Sequence, residues 1–134
     1  MKYKPKVKFF MPGIKDWLRK ASSDLKLATK AVGDDETLDP GVYLTHQCAE
    51  KSLKTFFVLI GKKVPKTHLL SELLDDCVLL DQKFMLIHKE CQRLNPYGFN
   101  SRYPNDTFRI NQNDLIEAIG MATTILNFVK NKIQ

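Results

Sequence analysis

Four stretches of the chain repeat apolar residues at alternating intervals of four and three, a spacing that lines one face of a helix. Outside residues 6–10, no alternating β-branched segment of convincing length competes with this pattern. The sequence therefore predicts an all-α fold. The four stripes are Ile14-Leu18-Ala21-Leu25-Ala28-Val32, Val42-His46-Ala49-Leu53-Phe56-Ile60, Leu80-Phe84-Ile87-Cys91-Leu94 and Leu115-Ile119-Ala122-Leu126-Val129.

Residues that end or start helices separate the stripes. Gly33 and the acidic loop after it end the first helix, and Gly61 ends the second. The third is expected to stop at Asn95, because the proline that follows cannot continue a helix without disruption. Asn111 and Asp114 precede the fourth with the spacing of a capping box, in which Asp replaces the usual Glu or Gln. Each stripe is thus predicted to be one helix.

A short helix is also predicted over residues 67–74, with Thr67 as its N-terminal cap. Four amphipathic helices with mostly short connections pack most simply as an antiparallel up-and-down four-helix bundle. We therefore expect such a bundle, with the short helix added between helices two and three. The longest irregular segment, residues 95–110, is a candidate functional loop, because long ordered loops often carry function.

Charge and length define the organisation of the chain. The 134 residues suit one domain, predicted here over 13–132, after a basic arm over 1–12. The net charge of +6 lies entirely in the first twenty residues, so the remaining 114 residues are neutral. The lysines from Lys2 to Lys8 suit either a nucleic-acid clamp with strong salt dependence or a tail that is disordered or pairs with a strand edge.

Several classes of protein are excluded by what the sequence lacks. No apolar run approaches the roughly 20 residues of a membrane span, and no signal-peptide core is present, so we expect a cytoplasmic protein without membrane contact. Cys48, Cys77 and Cys91 are odd in number and widely spaced in apolar surroundings, which predicts reduced, buried thiols. The histidines do not have the spacing of a metal site, and we predict neither a metal nor a cofactor.

A band of polar residues lies beside the apolar stripe of helix two, at spacings of three and four: Gln47, Glu50, Lys51 and Lys54. The plain interpretation is a solvated face in which Glu50 and Lys54 form an i,i+4 ion pair. His46 falls on the apolar stripe itself. A histidine in that position is either a hydrogen-bonded core residue or a ligand-binding or catalytic group.

Three blocks of the sequence carry a resemblance to a known family. They are His46-Gln47-Cys48-Ala49-Glu50-Lys51-Ser52-Leu53-Lys54, then Gly61 with Val64-Pro65-Lys66-Thr67-His68-Leu69-Leu70-Ser71-Glu72-Leu73-Leu74, and Ser101-Arg102-Tyr103-Pro104. With these blocks the chain resembles the HEPN family (higher eukaryotes and prokaryotes nucleotide-binding) from about Ile14 to Lys130. The resemblance implies a helical bundle that is commonly dimeric. Small members often accompany a minimal nucleotidyltransferase, as its partner subunit or in a toxin–antitoxin pair.

Many relatives in that family are metal-independent ribonucleases, which carry an Arg followed four to six residues later by His near the start of the last bundle helix. No arginine of this chain is followed by a histidine at that distance, and His88 and Arg93 have the spacing in reverse order. Since RNA cleavage needs a proton acceptor near the 2′-hydroxyl, we predict no catalytic residues.

The resemblance therefore leads to a non-enzymatic module that binds a nucleotide or RNA, a nucleotidyltransferase partner, or both, and that forms a homodimer. The alternative is a divergent ribonuclease toxin in which His46, His68 or His88 replaces the usual base. Arg102 and Tyr103 suit phosphate and base contacts, but Arg102 could equally pair with Glu50 and fix the loop. The predicted ligand-binding residues are Gln47, Glu50, Lys51, Lys54, His68, Arg102 and Tyr103.

Overall fold

The described backbone consists of helices joined by turns and short irregular segments. The computed structural model describes residues 12–99 and 109–134, and those residues contain no strand. The prediction of an all-α fold is therefore confirmed. The helices are α1 (Ile14–Lys30), α2 (Leu38–Leu59), α3 (Leu70–Leu80), α4 (His88–Leu94) and α5 (Gln112–Ile133), with 3-10 turns at Asp35–Thr37, Gln82–Ile87 and Asn95–Gly98.

Helix α2 is the centre of the bundle. It packs against α1, α5, α3 and α4, and it also contacts the 3-10 turn of Asn95–Gly98. Val42 and Leu53 on α2 and Leu115 and Ile125 on α5 are completely buried in the shared core. Because neighbours surround α2 on several sides, its polar residues are buried along with its apolar stripe.

The third stripe does not form the single long helix that its spacing predicted. Helix α3 ends at Leu80, and Asp81 has an extended backbone (φ −157°, ψ 106°) before a 3-10 turn leads into α4. The Asp81 carboxylate accepts a hydrogen bond from the backbone N–H of Lys83 at 3.0 Å, which caps the new turn. Phe84 and Ile87 nevertheless remain buried, so the spacing identified core residues while the backbone between them differs from the prediction.

The short helix between helices two and three exists as α3, but it is longer than predicted and its cap comes from elsewhere. Asn95 Oδ1 accepts from the backbone N–H groups of Leu70 and Ser71, at 2.9 and 3.4 Å. Thr67 Oγ1 accepts only from the N–H of Leu69, at 3.2 Å, one residue before the helix begins. The start of α3 is therefore held by a side chain at the far end of α4.

The predicted ends of α1 and α2 and the start of α5 agree with the structure, but the predicted start of α2 does not, because the helix begins at Leu38 and includes residues 39–41 of the expected loop. Asn111 and Asp114 form the reciprocal capping box of α5, with N–H to carbonyl or carboxylate oxygen distances of 2.8 and 3.0 Å. Gly33 and Gly61 both adopt positive φ angles, 91° and 72°, after the ends of α1 and α2. Only glycine takes such angles readily, which explains why these helices stop there.

Two predicted features lie outside the described residues. The arm is described only at Pro12, and the loop segment that contains Arg102 and Tyr103 falls within 100–108. Across the described ranges, none of the helices has the length and apolar character needed to cross a membrane. The three cysteines are free and buried, as predicted.

Candidate functional site

A cluster of ionisable side chains lies beside the middle of α2. It consists of His46, Glu50 and Lys54, spaced one helical turn apart, together with His68 from the segment before α3; we call these four residues the Glu50 cluster. Glu50 is 4% exposed and Lys54 is 6% exposed. The interpretation of this band as a solvated face is therefore wrong at these two positions, because neighbouring elements cover this side of α2.

One carboxylate oxygen joins two of the partners. Glu50 Oε2 lies 3.1 Å from Lys54 Nζ and 2.9 Å from His68 Nδ1. The predicted i,i+4 pair exists, but it is buried, where charges interact more strongly and lose more hydration than they do at the surface. Since Glu50 neutralises Lys54, this lysine does not offer a free positive charge to a phosphate.

The second oxygen of Glu50 has a different environment. Glu50 Oε1 is buried, and no residue in the described part of the chain makes a hydrogen bond to it. His46 Nδ1 lies 4.0 Å from this oxygen, beyond hydrogen-bond distance. A buried carboxylate oxygen without a donor is costly, so this atom is the strongest sign in the cluster of an interaction that the described residues do not complete.

His46 is a core residue, as one of the two interpretations of its position predicted. Its ring is buried, and the 3-10 turn of Asn95–Gly98 lies directly over it. A Cβ atom added to Gly98 would lie 2.4 Å from His46 Nε2, well inside van der Waals contact. Gly98 therefore permits the turn before the 100–108 segment to approach α2, a requirement that the apolar spacing does not reveal.

His68 carries the cluster to the surface. Its side chain is 80% exposed although its Nδ1 contacts the buried carboxylate. A carboxylate on one ring nitrogen fixes the orientation of the imidazole and leaves the opposite nitrogen directed away from that contact. This arrangement suits a ligand contact, and it is also the arrangement used to orient a catalytic histidine.

The remaining predicted ligand residues do not all join the cluster. Lys51 forms an ion pair with Asp24 of α1, with a distance of 2.5 Å between Nζ and Oδ2, and so links two helices. Gln47 is half-buried one turn before Lys51. The sequence spacing correctly placed these side chains on neighbouring parts of α2, but Asp24 was missed because a partner on another helix leaves no local signal.

Three other features of the described residues bear on metal binding, thiol chemistry and ligand binding. The described ranges contain no group of three or more potential metal-ligating side chains. Burial raises the pKa of Cys48 and of Cys91 to about 12 each, and it raises the pKa of Cys77 as well, so all three thiols remain protonated near neutral pH. An open depression of about 570 Å³ is lined by Asp35, Gln112 and their neighbours, none of which belongs to the Glu50 cluster.

The sequence and the fold both match known proteins. A sequence model of the HEPN domain matches residues 14–132. The chain belongs to the HEPN family. The crystal structure of ST0689, an archaeal HEPN homologue, is 28% identical with a TM-score of 0.72, over 92% of this chain and 100% of that one.

A second solved structure agrees with the first. The crystal structure of TT1696 from Thermus thermophilus is 26% identical with a TM-score of 0.75, over 91% of this chain and 99% of that one. No curated protein matches the chain. The family resemblance of the three sequence blocks is thus confirmed, and the Glu50 cluster is a feature of a HEPN bundle.

Proposed function

We propose that this HEPN domain, residues 13–132, is a non-enzymatic binding module for a nucleotide, a nucleotidyltransferase partner or both, and that it works as a homodimer. Family membership supports the proposal, as does the sequence, in which no histidine follows an arginine at the ribonuclease spacing. The proposal includes a toxin–antitoxin pair formed by the domain and the nucleotidyltransferase.

The observation that carries the proposal is the buried Oε1 atom of Glu50. A carboxylate oxygen held in this environment accepts hydrogen bonds from amino or imino groups, such as those on the edge of a nucleic-acid base. Lys54 and His68 both bind the other oxygen, which leaves Oε1 as the acceptor for a ligand. In this proposal Arg102 supplies the positive charge for a phosphate and Tyr103 stacks on the base.

Isothermal titration with ATP, GTP and short RNA, with and without a candidate nucleotidyltransferase, tests this function. We expect His68→Ala and Arg102→Ala each to weaken binding at least tenfold, because each removes one direct contact. His88→Ala is the matched control, since His88 is an exposed histidine at the start of α4 and lies outside the cluster.

Two results would contradict the proposal. One is the absence of binding to every nucleotide, RNA and partner tried with folded protein. The other is an Arg102→Ala variant that changes only the stability of the domain and leaves each measured affinity unchanged.

A specific contact favours a second candidate, the divergent ribonuclease. His68 is exposed and is held by a buried carboxylate, which is how proteins orient a general base. It is also one of the three histidines that could replace the usual base of the family's ribonucleases. Cleavage of RNA that is lost in His68→Ala but kept in His88→Ala, with growth arrest on expression, would support it; inactivity on both structured and unstructured RNA would exclude it.

A further inference from the structure

Two leucines at one edge of the bundle are almost completely solvent-exposed. Leu79 near the end of α3 is 84% exposed, and Leu86 in the following 3-10 turn is 75% exposed. Leu80 and Met85, which lie between them in the sequence, are also exposed. Large apolar side chains that are exposed close together in the sequence, on elements that contact one another, are typical of a surface that another molecule covers.

Acidic residues accompany the first leucine. Glu72, Asp75, Asp76 and Leu79 follow one another closely enough to share one side of α3, and all four are exposed. We call these four residues the acidic stripe. Glu72 accepts a hydrogen bond from Thr67 at 2.6 Å, which leaves its charge in place.

Basic residues accompany the second leucine. Lys83, Leu86 and Lys89 are three residues apart. The first two lie in the 3-10 turn, where side chains with that spacing eclipse one another, and Lys89 lies in the first turn of α4. All three are exposed, and we call them the basic stripe. Within residues 12–99 and 109–134, no ion pair involves the charged side chains of Asp75, Asp76, Lys83 or Lys89.

The two stripes are complementary in charge, and each contains one of the exposed leucines. The elements that carry the two stripes are neighbours in the fold, because α3 contacts both the 3-10 turn and α4. A two-fold axis brings the same patch of two subunits together. If residue i of the first subunit contacts residue j of the second, then residue j of the first also contacts residue i of the second. A surface with an acidic half and a basic half can therefore pair with a second copy of itself, with the acidic half of each copy against the basic half of the other.

We propose that two copies of this chain pair at this edge, with the acidic stripe of each copy along the basic stripe of the other and the exposed leucines buried between them. This inference rests on the homodimer in the proposed function and names its surface. The opposite charges orient the two copies, and burial of the leucines supplies most of the affinity. The Glu50 cluster shares no residue with either stripe, so charge reversal of the stripes changes none of its four side chains.

Charge reversal tests this pairing because it predicts both loss and recovery. Asp75→Lys with Asp76→Lys makes both stripes basic, and Lys83→Glu with Lys89→Glu makes both acidic. In analytical ultracentrifugation we expect the wild-type protein to be dimeric and each reversed protein to dissociate at least tenfold more readily. An equal mixture of the two reversed proteins should form a one-to-one heterodimer, which native mass spectrometry identifies by mass.

Two further variants complete the experiment. Leu79→Ser should weaken the wild-type dimer without changing the helical circular dichroism signal, because the side chain is exposed in the single subunit. Lys26→Glu with Lys30→Glu is the matched control, since both lysines are exposed on α1 and belong to neither stripe. That control should dimerise like the wild-type protein.

The outcomes separate this surface from the broader proposal. A wild-type dimer that survives both reversals and Leu79→Ser would overturn the surface and leave the homodimer standing. A wild-type monomer at all accessible concentrations would overturn both, while the nucleotide titration still tests ligand binding. If the wild-type protein is monomeric and the reversals abolish binding to a nucleotidyltransferase, the surface belongs to that protein and our inference is wrong.

Discussion

The centre and the edge of this bundle reverse the usual distribution of polarity. On α2, Glu50 and Lys54 carry opposite charges and are buried, whereas Leu79 and Leu86 at the α3–α4 edge are exposed to solvent. The difference follows from position, because Glu50 and Lys54 lie on a side of α2 that neighbouring elements cover, whereas Leu79 and Leu86 lie on sides of their elements that face solvent. A side chain's type therefore predicts its environment here less well than the side of the element on which it lies.

The two regions also differ in what their unusual residues cost. A buried ion pair stabilises a fold only weakly against an apolar alternative, but removal of one partner leaves an uncompensated charge. Exposed leucines cost the isolated subunit little, and they gain free energy only when another surface covers them. The following substitutions test this contrast, beginning with the largest expected effect.

Removal of the central carboxylate should be the most damaging change. Glu50→Ala leaves the Lys54 ammonium buried without its partner, and we expect the free energy of unfolding to fall by about 3–5 kcal/mol in urea denaturation. The double variant Glu50→Met/Lys54→Met is the control, and it should recover most of that loss because no charge remains buried. A loss below about 1 kcal/mol for Glu50→Ala would show that the pair is hydrated.

Two leucines of the same helix should give opposite results. Leu73 is fully buried and Leu79 is 84% exposed, both on α3. Leu73→Ala should lower the free energy of unfolding by about 2–5 kcal/mol through lost burial and a cavity. Leu79→Ala, measured in protein dilute enough to be monomeric, should change it by no more than about 0.5 kcal/mol. Similar losses for the two variants would contradict the described orientation of α3.

The close contact over His46 should give the smallest loss of the three. In Gly98→Ala the new methyl group would lie 2.4 Å from His46 Nε2, so the turn or the ring must move, and we expect a loss of about 1–3 kcal/mol by thermal unfolding. Gly120→Ala is the matched control. That position lies within α5 with no atom near a new Cβ, so alanine should stabilise the helix by about 0.5–1 kcal/mol.

Destabilisation by Gly98→Ala has two separable causes, the clash with the His46 ring and a displacement of the Asn95–Gly98 turn that does not involve the ring. Combination with His46→Ala separates the two causes, because it removes the ring that the methyl group would meet. If the double variant is no more stable than the sum of the single losses predicts, the contact between the turn and His46 is not the source of the effect.

The sequence predicted the parts of the fold that depend on local pattern. Apolar spacing identified the helices and most of the core, and the Asn111–Asp114 box and the glycines marked helix ends. It did not predict the break at Asp81, because Phe84 and Ile87 have the same spacing in a continuous helix and in the observed 3-10 turn. The choice between the two is made by the Asp81 cap and by packing with other elements.

The candidate site was predictable only in outline. Helical spacing placed Glu50 and Lys54 together, and the family resemblance added His68, but the burial of the first two depends on elements distant in sequence. The partner of Lys51 on α1 and the contact of Gly98 with His46 are likewise tertiary features. Residues that act through neighbours elsewhere in the chain cannot be assigned from the spacing within one helix.

The cap that Asn95 provides for α3 has a consequence for how the edge opens. A single amide side chain closes a loop of 25 residues between the end of α4 and the N–H group of Leu70. Fraying at either end therefore removes a hydrogen bond from the other, and we expect α3, the 3-10 turn and α4 to unfold locally as one unit. Amide hydrogens at the start of α3 then report on the integrity of α4, a helix that follows it in the chain.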